Sequence, residues 1–191
     1  MSQAAQHLTF SFEDYLVWEQ QQLQRHEFIR GEVFAMAGGT DLHNETSGNL
    51  YMALRQHLRG SPCRVYMADV KVRVEKANCS LYPDLLVTCA ENDHGDRYLK
   101  RSPILIIEVL SPSTAAFDLG EKFAIYQQLD SLREYVLVDP ERVRIQIYRR
   151  QDKQWIMDSI GANELLRLNS IGLECPITTV YQDLAQRQSW A

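Results

Sequence analysis

The run Ile104-Leu105-Ile106-Ile107-Glu108-Val109-Leu110, closed by Ser111-Pro112-Ser113, limits the possible folds of this chain more than any other segment. So apolar a stretch, rich in β-branched side chains and ended by turn residues, reads as a strand covered on both faces, at the centre of a layered sheet. Glu108 is the only charged residue in it. An enclosed carboxylate loses several kcal/mol of solvation, so it needs a cation, a proton or a group of donors beside it. A second acid has a similar frame: Asp84 in Tyr82-Pro83-Asp84-Leu85-Leu86-Val87, where a polar segment gives way to an apolar strand. Two carboxylates at the ends of adjacent buried strands make a natural divalent-metal site. The plainer alternatives are a turn carboxylate for Asp84 and a buried ion pair for Glu108, with Lys122 or an arginine as its partner.

A chain of 191 residues supports one domain with a sizeable core, so residues 1–191 are expected to form a single domain. The formal charge of −5 provides no global field toward nucleic acid or anionic lipid, and a nucleic-acid substrate would need a local basic surface or a bridging metal. Cys63, Cys79, Cys89 and Cys175 show no paired metal-binding spacing, and no basic segment followed by an apolar signal run opens the chain. No stretch approaches the roughly 18 apolar residues of a membrane span. The expectation is a cytoplasmic protein with reduced cysteines and no membrane partner, in which Cys89 is a small buried hydrophobe.

Ser11-Phe12-Glu13-Asp14 predicts a capped helix to about Gln22. Gly31 suggests a hairpin within Glu27 to Met36. Leu42, Leu50, Leu54 and Leu58, with Thr46 in the gap, put one apolar face on a helix from Asp41 to Arg59. Arg64 to Glu75 and Leu81 to Cys89 read as two antiparallel strands around an Ala77-Asn78 turn, and Glu91 to Arg101 as a loop. A helix is expected from about Ser113 or Thr114 to Leu129, then strands at Glu134 to Val138, Arg142 to Arg149 and Trp155 to Ile160, and a short helix within Pro176 to Ala185. This order is mixed α/β. Gly-rich phosphate loops are absent, which argues against a dinucleotide-binding fold.

Several segments together carry a resemblance: His26-Glu27-Phe28-Ile29-Arg30-Gly31-Glu32-Val33, His43-Asn44, Asn49-Leu50, Pro83-Asp84-Leu85, Ile107-Glu108-Val109-Leu110-Ser111-Pro112-Ser113-Thr114, Asp118-Leu119-Gly120-Glu121-Lys122 with Tyr126, and Leu137-Val138-Asp139-Pro140. In this order they resemble a bacterial restriction-endonuclease-like family, abundant in cyanobacteria and catalogued as a domain of unknown function, over nearly the whole chain. The resemblance implies a restriction-endonuclease-like mixed β-sheet core flanked by helices, within the nuclease superfamily marked by Pro-Asp and then an acid, any residue and Lys. Pro83-Asp84 matches the first half and Glu108 the acid. Leu110 stands where the pattern wants lysine, and Lys122 on the following helix matches the residue that replaces it. Matching to the family also makes Glu27 a third acid of the site or the holder of a second metal, where the residue by itself reads as an exposed acid between helix and strand.

Mg²⁺, with Mn²⁺ as a substitute, takes oxygen ligands and keeps several waters, so Asp84, Glu108 and the Val109 carbonyl suffice as anchors. Lys122 would orient or deprotonate water or stabilise the transition state; otherwise it is a solvated helix lysine. His43 is either a phosphate contact or support for a metal ligand, or else an ordinary residue near a helix start, and Asn49 would reach the cleft from the same helix. Asp69 is a further acid candidate, with Lys71 as the competing partner. Arg73, Lys76, Arg97, Lys100 and Arg101, and separately Arg142, Arg144, Arg149 and Arg150, are candidate basic rims or ordinary charged edges. The reading is a Mg²⁺-dependent endonuclease acting on DNA as a homodimer. Its rivals are a noncatalytic nucleic-acid- or protein-binding module and a structural oligomerisation protein.

Overall fold

The computed structural model describes residues 9–36 and 38–184. Helix α1 (Phe12–Glu19) is capped by the Ser11 hydroxyl, which accepts from the Asp14 amide. Strands β1 (His26–Ile29) and β2 (Glu32–Ala35) form the hairpin suggested by Gly31, and Arg30 and Gly31 both take positive φ at 54° and 100°. Helix α2 (Asp41–His57) buries Thr46, Leu50 and Leu54 on the expected stripe. There follow β3 (Arg64–Met67), β4 (Lys71–Val74), β5 (Cys79–Leu81), β6 (Leu85–Thr88), α3 (Glu91–Gly95), β7 (Leu99–Lys100) and β8 (Pro103–Val109). Helices α4 (Ala115–Phe117) and α5 (Phe123–Tyr126) are joined through a π-turn, Asp118–Lys122. Strands β9 (Glu134–Asp139), β10 (Arg144–Gln151), β11 (Gln154–Gly161), β12 (Leu165–Leu168) and β13 (Leu173–Pro176) complete the described elements.

The larger sheet runs β11-β10-β9-β8-β6-β3, with β8 and β9 parallel and the other pairs antiparallel. A five-stranded sheet runs β2-β1-β5-β4-β7. The result is the expected mixed α/β core flanked by helices. On β8, Leu105, Ile107 and Val109 join one core with α2, while Ile106 joins a second core with Leu86, Ile125 and Tyr126. Alternation therefore turns Glu108, two residues after Ile106, toward that second side, and Asp84, two before Leu86, toward the same side.

Each of the two strands expected at Arg64 to Glu75 and Leu81 to Cys89 is split between the sheets. Ala68 has φ 52°, its amide donates to the Asp84 carbonyl at 3.0 Å, and the Asp69 amide turns back to Met67 at 2.7 Å, so the first strand breaks after Met67. The second breaks at Tyr82-Pro83-Asp84, between β5 of one sheet and β6 of the other. Asp84 thus stands at a crossover. The expected loop from Glu91 to Arg101 contains α3 and β7, organised by Asp93, which accepts from Thr88, Arg101 and Ser102. The helix expected within Pro176 to Ala185 is a 3-10 turn, Ile177–Thr179, and Ala185 lies outside the described residues.

The cysteine expectation requires correction. Cys63 and Cys89 form a disulfide, because the antiparallel register that pairs Arg64 with Thr88 sets them opposite one another. Cys79 is a free, buried thiol. Among the described residues no helix is long and apolar enough to cross a membrane.

Candidate active site

Asp84 and Glu108 meet because β6 and β8 are antiparallel neighbours with Leu85 opposite Ile107. The Asp84 amide donates to Glu108 Oε2 at 3.2 Å, and the Val109 amide donates to Asp84 Oδ2 at 2.7 Å. Glu108 is thereby oriented by the Asp84 main chain, and Asp84 by the main chain of the residue that follows Glu108. Lys122 arrives from the π-turn, a wide helical turn of the kind enriched at functional sites, which also brings in Asp118. Its ammonium lies 2.9 Å from Glu108 Oε1, 3.4 Å from Glu27 Oε1 and 3.5 Å from Asp118 Oδ1. Glu27 comes from β1 and accepts from the Tyr82 amide at 3.2 Å.

The electrostatics follow from one ammonium shared among three carboxylates. Burial works against the charge on Lys122, but Glu108, Glu27 and Asp118 together hold its pKa well above the usual lysine value. For Glu108, burial pushes the carboxyl well up, Lys122 opposes this, and Asp84 and Asp118 reinforce it. Lys122 therefore keeps its proton firmly, while Glu108 takes one up more readily than a free glutamate. Tyr126 is buried behind the pair, and its hydroxyl is pushed up by burial and then by Glu108.

These groups face a cleft of about 590 Å³. Its lining holds Glu27, Glu32, Asp84, Glu108, Asp118 and Glu121 against only Arg30 and Lys122, with His43 on the wall. Such an excess of carboxylate repels a bare phosphate and attracts a cation. No three His, Cys, Asp or Glu side chains among the described residues form a ready-made ion cage. The donor chemistry nevertheless suits a hard divalent ion: two carboxylates and Val109 border one acidic cleft, and buried Glu108 Oε1 lacks a directed hydrogen bond despite its ion pair.

The structure thus brings Glu27, Asp84, Glu108, Val109 and Lys122 to one place. His43 joins them, its Nε2 3.2 Å from Asp84 Oδ2. That hydrogen bond chiefly raises the His43 pKa, burial opposing and the Asp84 and Asp118 charges and the Val109 main chain assisting. Asp118 had no role assigned from sequence; its spacing of four from Lys122 on a helix was the available signal. Other candidates are elsewhere. Asp69 is exposed and pairs with Arg25 at 3.3 Å, and Asn49 donates to the Val180 and Gln182 carbonyls. None of the nine rim cations lines the cleft. Lys100 is buried on Asp93 and Asp96 carbonyls, Arg149 pairs with Glu134, and Arg150 binds the Gln127 and Leu129 carbonyls.

Comparison with known proteins gives a consistent picture. The family model Uma2, described as "Putative restriction endonuclease", matches residues 12–178. The "Uncharacterized protein slr1290" of Synechocystis sp. (strain ATCC 27184 / PCC 6803 / Kazusa) is 36% identical over 174 residues, 91% of this chain and 92% of the relative. A second protein of that strain, "Uncharacterized protein sll1609", is 31% identical over 150 residues, 77% of this chain and 85% of its own. A crystal structure described as a putative nuclease belonging to DUF820 from Anabaena variabilis ATCC 29413 shares the fold, with a TM-score of 0.75 over 90% of this chain and 97% of that one at 15% identity.

Proposed function

The chain belongs to the Uma2 family of restriction-endonuclease-like proteins, and from that premise we propose that it hydrolyses phosphodiester bonds in DNA with the help of a divalent cation. The observation that carries this reading is the meeting of Asp84, Glu108 and Lys122 at one cleft, with Lys122 2.9 Å from Glu108. Asp84, Glu108 and the Val109 carbonyl would hold the cation, Mg²⁺ or Mn²⁺. When bound, it would neutralise charge on the nonbridging phosphate oxygens.

The protein's own groups supply the rest. Lys122, firmly protonated, acts as a hydrogen-bond donor and point charge toward the phosphate rather than as a base. Its ammonium is held on four sides by Glu27, Glu108, Asp118 and the Tyr82 carbonyl, which fixes where that charge stands. Glu27, Glu108 and Asp118 are the carboxylates beside it. The acidic lining makes cation binding a condition for nucleic-acid binding, and a homodimer would widen the footprint beyond one cleft.

One observation favours a second reading, a noncatalytic nuclease-fold module: Lys122 and Glu108 already satisfy each other's charge. Incubation of the purified protein with supercoiled and single-stranded DNA, in Mg²⁺, Mn²⁺ and chelator, separates the two. The nuclease reading expects cation-dependent cleavage by wild type and none by Glu108→Ala. Cation-dependent DNA binding without cleavage by either protein would favour the module.

A further inference from the structure

We propose that His43 is a direct ligand of the cation, so that the cleft prefers a first-row transition ion such as Mn²⁺ to Mg²⁺. The inference rests on the nuclease reading above and adds to it the identity of a ligand and the class of the metal.

His43 enters from the first turn of α2, an element that supplies neither acid. Its main chain is fixed twice, by the Thr40 hydroxyl accepting from its amide at 3.2 Å and by Ser47 Oγ donating to its carbonyl at 2.8 Å. A Cβ at Gly39 would lie 2.9 Å from His43 Nδ1, so a larger residue there would press on the ring from its Nδ1 side. Nε2 lies 3.2 Å from Asp84 Oδ2, and both residues line the cleft. The same Asp84 Oδ2 accepts from the Val109 amide at 2.7 Å, which sets the imidazole beside the end of β8.

The imidazole thus neighbours both the carboxylate and the strand-end backbone already argued to hold the cation. The His43 and Asp84 side chains are 19% and 22% exposed, against 2% for Glu108, so this pair stands at the open wall while Glu108 lies beneath, held by Lys122. His43 would thus add one imidazole nitrogen to the oxygen donors of Asp84, Glu108 and Val109 on the same cleft wall. Mg²⁺ demands oxygen ligands and gives up its water reluctantly, whereas first-row transition ions accept imidazole nitrogen. A nitrogen in the set therefore shifts selectivity away from Mg²⁺. If His43 only steadied Asp84 by a hydrogen bond, its loss would weaken both ions alike.

The test titrates Mn²⁺ and Mg²⁺ separately into the full chain without DNA, by calorimetry, and records the electron spin echo modulation of the bound Mn²⁺. The expected result is nitrogen modulation from one imidazole in wild type, changed by ¹⁵N-histidine labelling and absent from His43→Ala. That variant should bind Mn²⁺ about tenfold or more weakly and Mg²⁺ nearly as before. Its thermal melt reports whether it is folded, and the wild-type echo signal stands without it. Mn²⁺ bound without nitrogen modulation, or an equal loss for both ions in a folded His43→Ala, overturns the ligand assignment and leaves the nuclease reading intact. Mn²⁺ binding unaffected by Asp84→Asn places the ion elsewhere and overturns the assignment too. Failure of wild type to bind either ion overturns both.

Discussion

Glu108 and Asp93 are carboxylates buried almost equally, at 2% and 3% exposure, yet their surroundings differ in kind. Asp93 accepts from the Thr88 hydroxyl at 2.7 Å, the Arg101 amide at 2.8 Å and the Ser102 amide at 3.0 Å, and it does not line the cleft. Glu134 on β9 is similarly saturated, by Arg149, two amides and the Ser170 hydroxyl. Glu108 accepts one amide at 3.2 Å, shares one ammonium with two other acids and faces the cleft beside Asp84. Burial alone therefore does not distinguish a structural acid from a functional one. The distinction lies in whether the donors are complete, since an incomplete set in an acidic cleft leaves room for a cation.

The sharpest way to break the comparison is to neutralise both acids. Glu108→Gln is expected to lower cleavage by about a thousandfold and to leave the melting temperature unchanged or slightly higher, as removal of a poorly solvated charge does. Asp93→Asn turns a donor toward groups that are themselves donors, and is expected to lower stability by about 2–3 kcal/mol. Equal destabilisation by the two substitutions, measured by chemical denaturation, would end the distinction.

Lys122→Met probes the same site from its cation. With Glu27, Glu108 and Asp118 left without it, stability is expected to fall by about 3 kcal/mol, and cleavage to fall with it. Affinity for Mn²⁺ should rise, because the competing ammonium is gone, and added Mn²⁺ should restore the melting temperature. A melt insensitive to the metal would count against a cation site.

A pH series gives a smaller effect of determined sign. The folded Glu108 carboxyl titrates above its unfolded value of about 4.3. Its contribution is therefore fully present below that value and is lost as pH rises through the folded pKa. Metal-free wild type should lose stability over that rise relative to Glu108→Gln, and parallel profiles for the two proteins would contradict this. The smallest effect at the site concerns the disulfide. Cys63→Ala opens a staple spanning 26 residues at the far end of β6 from Asp84. It should reduce stability by about 2 kcal/mol while changing Mn²⁺ affinity less than about twofold, since additivity holds for distant sites.

The parts of the fold that sequence revealed were those governed by periodicity and local turn chemistry. The buried strand around Glu108, the leucine stripe of α2 and the hairpin at Gly31 were legible from single segments. Asp84, Glu108 and Lys122 were legible as candidates because their residue types are out of place in, or next to, apolar runs. Features set by other parts of the chain were hidden. The transfer of strands between sheets turns on Ala68, a residue with no turn signal, held in a left-handed conformation while its amide donates to Asp84. The Cys63–Cys89 bond depends on register rather than spacing. The internal partners of Arg149 and Arg150, which take them from any basic rim, are likewise tertiary.

The most direct test of the central claim, that the undersaturated acid anchors a cation and the saturated one does not, is a calorimetric titration of Mn²⁺ into wild type, Glu108→Gln and Asp93→Asn under identical conditions. Wild type and folded Asp93→Asn should bind the ion with similar affinity, and Glu108→Gln should bind it at least about tenfold more weakly. Undiminished binding by Glu108→Gln would contradict the account.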